Sequence, residues 1–339
     1  MGAVRLFFTI TEVAYLTAAL AFAVYYASNR RGIRSVAIVL LTAGALSQTL
    51  FIGWRWLEGA RPPLANMFET LVFFSLAIAV TCLVVELLYS PKIVAAAASV
   101  LALLAMAYAN LFDWAIQPLM PALQNSLWLT IHVIFCFVSY AAFAESYAVA
   151  LIFLLKRGGA LRKVSAFLVS VSFVTAICGL AYGVAKRKEV ITAIAGRTLV
   201  LAIVVGLAVA GLLTAALVGT LNAKKVRGEE ADSALSSLVY RTIAFGFPFL
   251  TIGIITGSVW ANVTWGRYWG WDPKETWSLI TWVVYALFLH VRLLRGRLGV
   301  KPKSLPQVHA ILSVLGFLFV LFTFLGVNYL LRGLHAYTD

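Results

Sequence analysis

Charge is scarce in this chain, acidic charge most of all. Only 12% of the 339 residues are charged, and 13 of those are acidic against 27 basic. An ordinary soluble domain is about a quarter charged. With 62% of residues hydrophobic, nothing is left over from which a sizeable soluble domain could be built. The apolar residues come in repeated runs of about 20, the length a helix needs to cross a bilayer, which excludes a barrel of short alternating strands. Cysteine is nearly absent: Cys82, Cys136 and Cys178 each stand alone in an apolar run. Without a CxxC pair there is no thioredoxin-like redox motif and no zinc knuckle, and without CxxCH the chain is not itself a c-type cytochrome. All three cysteines read as small buried hydrophobes. The N-terminus, MGAVRLFFTITEVAYL, has neither the basic leader nor the small-residue cleavage site of a signal peptide, so it reads as the first spanning helix. No internal repeat or low-complexity tract interrupts residues 1–339, which read as a single domain.

What is present points to an all-α polytopic membrane protein, a bundle of eight to ten transmembrane helices. The apolar runs are 6–27, 35–54, 67–89, 93–112, 127–155, 165–184, 198–221, 240–262, 274–295 and 308–331. The formal charge of +14 sits mostly in the short loops between them, as expected of topology signals rather than of nucleic-acid binding. Arg30, Arg31 and Arg34 follow the first run; Lys156, Arg157, Arg162 and Lys163 follow the fifth. Lys224, Lys225, Arg227 and Arg241 surround the start of the eighth, and Arg292, Arg295, Arg297, Lys301 and Lys303 follow the ninth. With ten helices all four clusters fall on one side, the cytoplasmic side by the positive-inside rule. One loop dissents: Lys186, Arg187, Lys188 and Arg197 fall outside. The stretch 224–239 reads as a mixed-charge cytoplasmic loop.

Six of the ten tryptophans lie in one stretch, WANVTWGRYWGWDPKETWSLITW, residues 260–282. They are Trp260, Trp265, Trp269, Trp271, Trp277 and Trp282, with Arg267, Asp272, Lys274 and Glu275 among them. Pro273 suits the first position of a helix, Asp272 its N-cap and Glu275 its positive first turn. An interfacial aromatic belt is one reading, since Trp sits readily at headgroup depth. A platform for a large flat ligand with an apolar body and acidic edges is the other. Belt residues are usually scattered one or two per helix end, and these are crowded together. The stretch falls on the outer face, as do His132, in the first two turns of the fifth helix, and His335, just past the last.

The segment WGRYWGWDPKETWSLITW resembles the tryptophan-rich WWD signature of the haem-handling proteins of cytochrome c maturation, and within them the CcsA (ResC) branch of the system II cytochrome c synthase. That family is commonly described with eight helices, so 165–221 is expected to be an extra helix pair or a divergent region. The resemblance implies a membrane subunit that takes haem b from the cytoplasmic side and holds it outside between two histidines. There it presents haem for thioether attachment to the CxxCH of apocytochrome c, a holocytochrome-c synthase (haem lyase) activity exercised with a CcsB (ResB) partner. It also implies that His132 and His335 (in GLHAY, where the family has GLHSY) are the external iron ligands, and that His290 in LHVR is one ligand of an inner entry site. Trp265, Trp269, Trp271, Trp277 and Asp272 would frame the haem, with Arg267 and Lys274 available to its propionates. His309 matches no family ligand and reads as an interfacial polar residue. The segment 59–70, GARPPLANMFET, resembles the family's PLSNMYE; Arg61, Asn66 and Glu69 are its polar members, and a turn capped by Asn66 is the alternative. Arg55 could face an acidic haem edge. Glu12, Glu86 and Glu145 receive no role. The basic loops and the length favour a bacterial plasma membrane over a plastid thylakoid. Two other functions stay open: a haem exporter or chaperone of the CcmC type without attachment activity, and a transporter of another amphipathic aromatic solute.

Overall fold

The computed structural model describes residues 2–89, 94–119, 123–124, 126–157, 229–294, 304–331 and 333. The expected runs 165–184 and 198–221, the dissenting basic loop, Cys178 and His335 lie outside them. Every regular element described is helical. They are α1 (Gly2–Ser28), α2 (Arg31–Gly59), α3 (Met67–Tyr89), α4 (Val94–Ala109), α5 (Ser126–Arg157), α6 (Glu229–Trp265), α7 (Pro273–Leu294), α8 (Leu305–Leu321), a π-helical segment Phe322–Gly326, and α9 (Val327–Leu330). Among the described residues, six helical stretches are long and apolar enough to cross a membrane: Arg5–Tyr26, Arg31–Gly59, Met67–Tyr89, Leu127–Leu154, Ser233–Trp265 and Leu305–Gly326. The protein is an all-α polytopic membrane protein.

One expectation fails. The stretch 224–239 is not wholly a loop, because α6 already begins at Glu229 and runs 37 residues to Trp265. EEADSALSSL is rich in good helix formers, so nothing stops the helix where its apolar run ends. Pro248 lies inside α6 and removes one backbone N–H from its ladder.

The described chain divides into two compact units. The first contains α1 to α4: α1 packs on α2 and α4, and α3 packs on α4 and α2. Its charges are paired at both ends of the α2–α3 hairpin. Arg34 Nε donates to Glu86 Oε1 at 2.7 Å, and Arg55 donates to Glu69 Oε1 at 2.9 Å. Arg34 and Arg55 are separated by about 31 Å of helix, close to the roughly 30 Å of a bilayer's hydrocarbon core. Glu69 also accepts from Arg61 at 2.9 Å, so one buried carboxylate serves two guanidiniums. The Arg55 guanidinium lies 5.0 Å from the centre of the Phe68 ring and donates to the Trp114 carbonyl. Phe8, Phe51, Phe68 and Trp114 form one aromatic cluster around it. Arg55 and Glu86 thus have partners inside this unit, as does Glu12, whose carboxylate accepts from Asn110.

The second unit contains α5 as far as Phe153, and α6 to α9. Phe143 on α5 stacks on Tyr285 of α7, their ring centres 3.6 Å apart, while Gly316 of α8 leaves room for the Tyr285 ring. Ser146 on α5 meets Ser313 on α8 at 3.0 Å. Such hydroxyl contacts join helices where lipid offers no hydrophobic drive for association. The sequence gives no sign of the π-helical turn after α8. There the Thr323 hydroxyl meets Thr281 of α7 at 3.2 Å. Asn328, just beyond, accepts from Lys274 Nζ at 3.2 Å.

Candidate functional site

The tryptophan-rich loop is built from its two helix ends inwards. Gly266, with φ +73°, ends α6, and its N–H returns to the Asn262 carbonyl at 2.9 Å. That left-handed position after a helix is cheap for glycine. At the other end Asp272 caps α7: its Oδ2 accepts from the Lys274 N–H at 3.3 Å. Glu275 reaches back, and its Oε2 accepts from the Asp272 N–H at 3.1 Å, the reciprocal half of a capping box. The same oxygen accepts from the Gly270 N–H at 2.7 Å. Between those two amides Trp271 adopts φ +57°, a left-handed conformation rare for a bulky residue, and its side chain is 69% exposed. Residues 270–272 therefore form a small nest of backbone N–H groups around a carboxylate of the chain itself. The two amides that an acidic ligand would otherwise seek are taken, so recognition of its carboxylates falls to side chains.

Arg267 and Lys274 differ as candidates for that recognition. Arg267 is exposed, and its guanidinium lies over Gly270 so closely that a β-carbon there would come within 2.6 Å of it. Lys274 instead turns inward to Asn328, which is itself buried. Asp272 is buried as well, with the Gly333 backbone against its carboxylate: a β-carbon on Gly333 would lie 2.5 Å from Oδ1.

The six tryptophans do not form one surface. Trp269 and Trp271 meet edge to face in the loop, 5.8 Å between centroids. Trp260 and Trp265, five residues apart at the end of α6, form a second such pair at 4.8 Å. Buried Trp260 also joins Leu123 and Leu129, with Ala65 and Trp128 at the edge of that cluster. Trp277 packs on Phe319 and Phe322 of the α8 end and its π-helical turn. Trp282 is a packing residue: its indole N–H donates to Thr251 Oγ1 at 2.9 Å, and its ring lies on Phe247 of α6.

Two histidines have their tautomer defined by a backbone carbonyl. His132 Nδ1 lies 2.7 Å from the Gly253 oxygen, and His290 Nδ1 lies 2.7 Å from the Ala286 oxygen. A carbonyl can only accept, so in each ring Nδ1 is the donor and Nε2 is turned away from that bond. That is the arrangement of a metal-binding histidine whose other nitrogen is held by the protein. The His132 ring lies parallel to Trp260, with 6° between planes and centres 6.5 Å apart. His290 is exposed, about 24 Å along α7 from Lys274, and so does not join the loop. His309 lies in the first turns of α8 and is buried. It is 2% exposed, with Ser236 3.4 Å from its Nδ1 and Phe288 and Tyr240 beside its ring. The apolar run reads its position as a helix end, but α6 extends far enough to cover it.

A membrane-embedded helical protein with a tryptophan-rich loop between two of its helices can be set beside known proteins by sequence. A family model described as cytochrome c assembly protein matches residues 64–335. The cytochrome c biogenesis protein CcsA of Synechococcus elongatus is 35% identical over 327 residues, covering 91% of this chain and 89% of the relative. The CcsA of a Synechocystis species is 37% identical over 302 residues, covering 86% and 84%. That of Pyropia yezoensis is 34% identical over 312 residues, covering 90% and 88%. The chain belongs to the CcsA family of cytochrome c assembly proteins, and its role lies in cytochrome c maturation.

Proposed function

We propose that this protein is the membrane subunit of a cytochrome c synthase, working with a CcsB-like partner. Its substrates are haem b and a reduced apocytochrome c carrying CxxCH. Haem enters from the cytoplasmic side near His290 and crosses within the complex. On the outer side it is held by His132 and His335 beside Trp265, Trp269 and Trp271. There each thiol S–H adds across one vinyl C=C, sulfur to one carbon and hydrogen to the other, with no net oxidation or reduction. The chain contributes ligation and orientation, holding the two reactants in a productive geometry. The observation that carries this reading is His132, whose protonated Nδ1 is held by the Gly253 carbonyl while its ring lies parallel to Trp260 at the end of the tryptophan-rich stretch.

The test is the haem absorption spectrum of the protein purified with its partner, wild type against His132→Ala, His335→Ala and His290→Ala. A six-coordinate haem that the two outer variants lose or alter supports the external pair. A loss in His290→Ala as well supports an inner site upstream of it. No haem in wild type, or three unchanged spectra, refutes the assignment. A haem exporter of the CcmC type would give the same spectra. Co-expression with the partner and an apocytochrome separates the two, since only the synthase yields haem that stays on the cytochrome after acid extraction.

A further inference from the structure

We infer that Gly257 is a positioning residue for the His132 imidazole, an assignment that rests on the function proposed above. α5 and α6 run antiparallel, and three glycines of α6 meet three side chains of α5 in strict register. A β-carbon at Gly246 would lie 2.9 Å from the Phe143 ring, one at Gly253 2.7 Å from Cys136 Sγ, and one at Gly257 2.6 Å from His132 Nδ1. Along α6 the glycines advance by seven and then four residues; along α5 their partners retreat by the same steps. The GIITG segment is therefore a small-residue seat that brings the two backbones close. At its last position it receives a histidine. The seat does two separate things for that ring. The missing side chain of Gly257 leaves space for Nδ1 and Cε1, and the carbonyl of Gly253, one turn earlier, accepts the Nδ1 proton. Together they fix where the ring lies and which nitrogen carries the lone pair. Any side chain at 257 pushes the imidazole off that carbonyl, after which neither its position nor its tautomer is defined.

This predicts a specific pattern. In Gly257→Ala, with the partner subunit present, the low-spin six-coordinate haem spectrum is replaced by a weaker, mixed-spin one, and haem content falls several-fold. In the haem-free protein, the imidazole nitrogen signals of His132, identified by their absence in His132→Ala, no longer show a single Nδ1–H tautomer. Gly246→Ala makes a clash of similar closeness on the same helix pair, away from the histidine; it lowers thermal stability but leaves the haem spectrum and the tautomer as in wild type. An unchanged spectrum in Gly257→Ala overturns the inference, and so does an equal spectral change in Gly246→Ala, which reports general α5–α6 packing. If Gly257→Ala does not accumulate, Gly257→Ala/His132→Ala removes the ring the new methyl meets. Recovery of wild-type abundance then places the clash at this imidazole, and failure to recover overturns it. Should His132→Ala itself leave the haem spectrum of wild type untouched, the proposed ligation fails; the nitrogen signals still test the seat on their own.

Discussion

Glu275 is the side chain on which the order of the tryptophan-rich loop turns, and Glu275→Ala measures how much. Its Oε2 accepts two backbone N–H bonds, from Gly270 at 2.7 Å and from Asp272 at 3.1 Å. A hydrogen bond to a charged group contributes about 1.5–3 kcal/mol. Glu275 is half-buried, so the lower figure applies to each, about 3 kcal/mol in all. Trp271, between the two amides, sits at φ +57°, a conformation disfavoured by roughly 1–2 kcal/mol for a residue with a side chain. The carboxylate is what holds it there. Without it, the local opening equilibrium of 270–272 shifts by about a hundredfold, since each 1.4 kcal/mol is a factor of ten. Hydrogen exchange read by mass spectrometry on a peptide covering 266–276 tests this. The Gly270 and Asp272 amides are expected to be protected in wild type and to exchange about a hundred times faster in Glu275→Ala, with peptides of α3 unaffected. Glu275→Gln keeps one acceptor oxygen without the charge and should fall in between. Equal protection in wild type and Glu275→Ala would refute the nest. Faster exchange throughout the chain would mean the variant had lost its fold rather than its loop.

Three further outcomes follow from the same geometry. Glu69→Gln leaves Arg55 and Arg61 without their shared anion, and should destabilise the protein by about 3–5 kcal/mol, as breaking buried ion pairs does; thermal unfolding in detergent reads it. Trp282→Phe removes the indole N–H bond to Thr251 and should cost about 0.6–1 kcal/mol; Thr251→Val should cost the same, and the double variant little more, which an unfolding cycle checks. Arg267→Gln should weaken haem retention two- to fivefold, the size of one exposed ion pair, in a haem-transfer assay to a competing apoprotein, without changing the spectrum of what stays bound.

Much of this was legible in the residues, and for physical reasons. Apolar runs of spanning length announce helices, and each described α-helix overlaps such a run, though α6 begins at Glu229, well before its own. Asp272, Pro273 and Glu275 announce the start of α7 because capping chemistry is local: the groups that end a helix lie within four residues of it. What was not legible depends on pairing over distance. Arg55 looks like a stray charge against the topology rule until Glu69, 14 residues away, is seen to accept from it. Trp282 and Trp277 look like members of the aromatic platform because sequence gives nearness along the chain and not direction. They are five residues apart, about 140° around an α-helix, so Trp282 faces α6 while Trp277 faces α8 and its π-helical turn. The π-helical segment is illegible for a different reason. FTFLG holds one glycine, Gly326, and no proline, and a lone glycine does not tell a π-helical turn from an α-helical one; the turn shows only in the structure, where Thr323 meets Thr281.

The loop's amides and its charges together constrain how an acidic, flat ligand can be met. Glu275 occupies the backbone N–H groups, Asp272 is committed to capping α7, and Lys274 reaches the buried Asn328. The loop is therefore a rigid frame more than an anion site, and its exposed members are Tyr268, Trp271 and the cation Arg267. A frame of that composition favours contact with an aromatic body over capture of a carboxylate, because aromatic faces bury large area at little entropic cost while one exposed ion pair adds less than about 1 kcal/mol. Strong fixation must then come from elsewhere. In the proposed function that would be His132, whose ring is oriented by the Gly253 carbonyl. In the function proposed above, rings would set the position of the haem and the His132 imidazole would hold it, while Gly253 and Gly257 stand where any larger residue would displace Cys136 or His132 of α5.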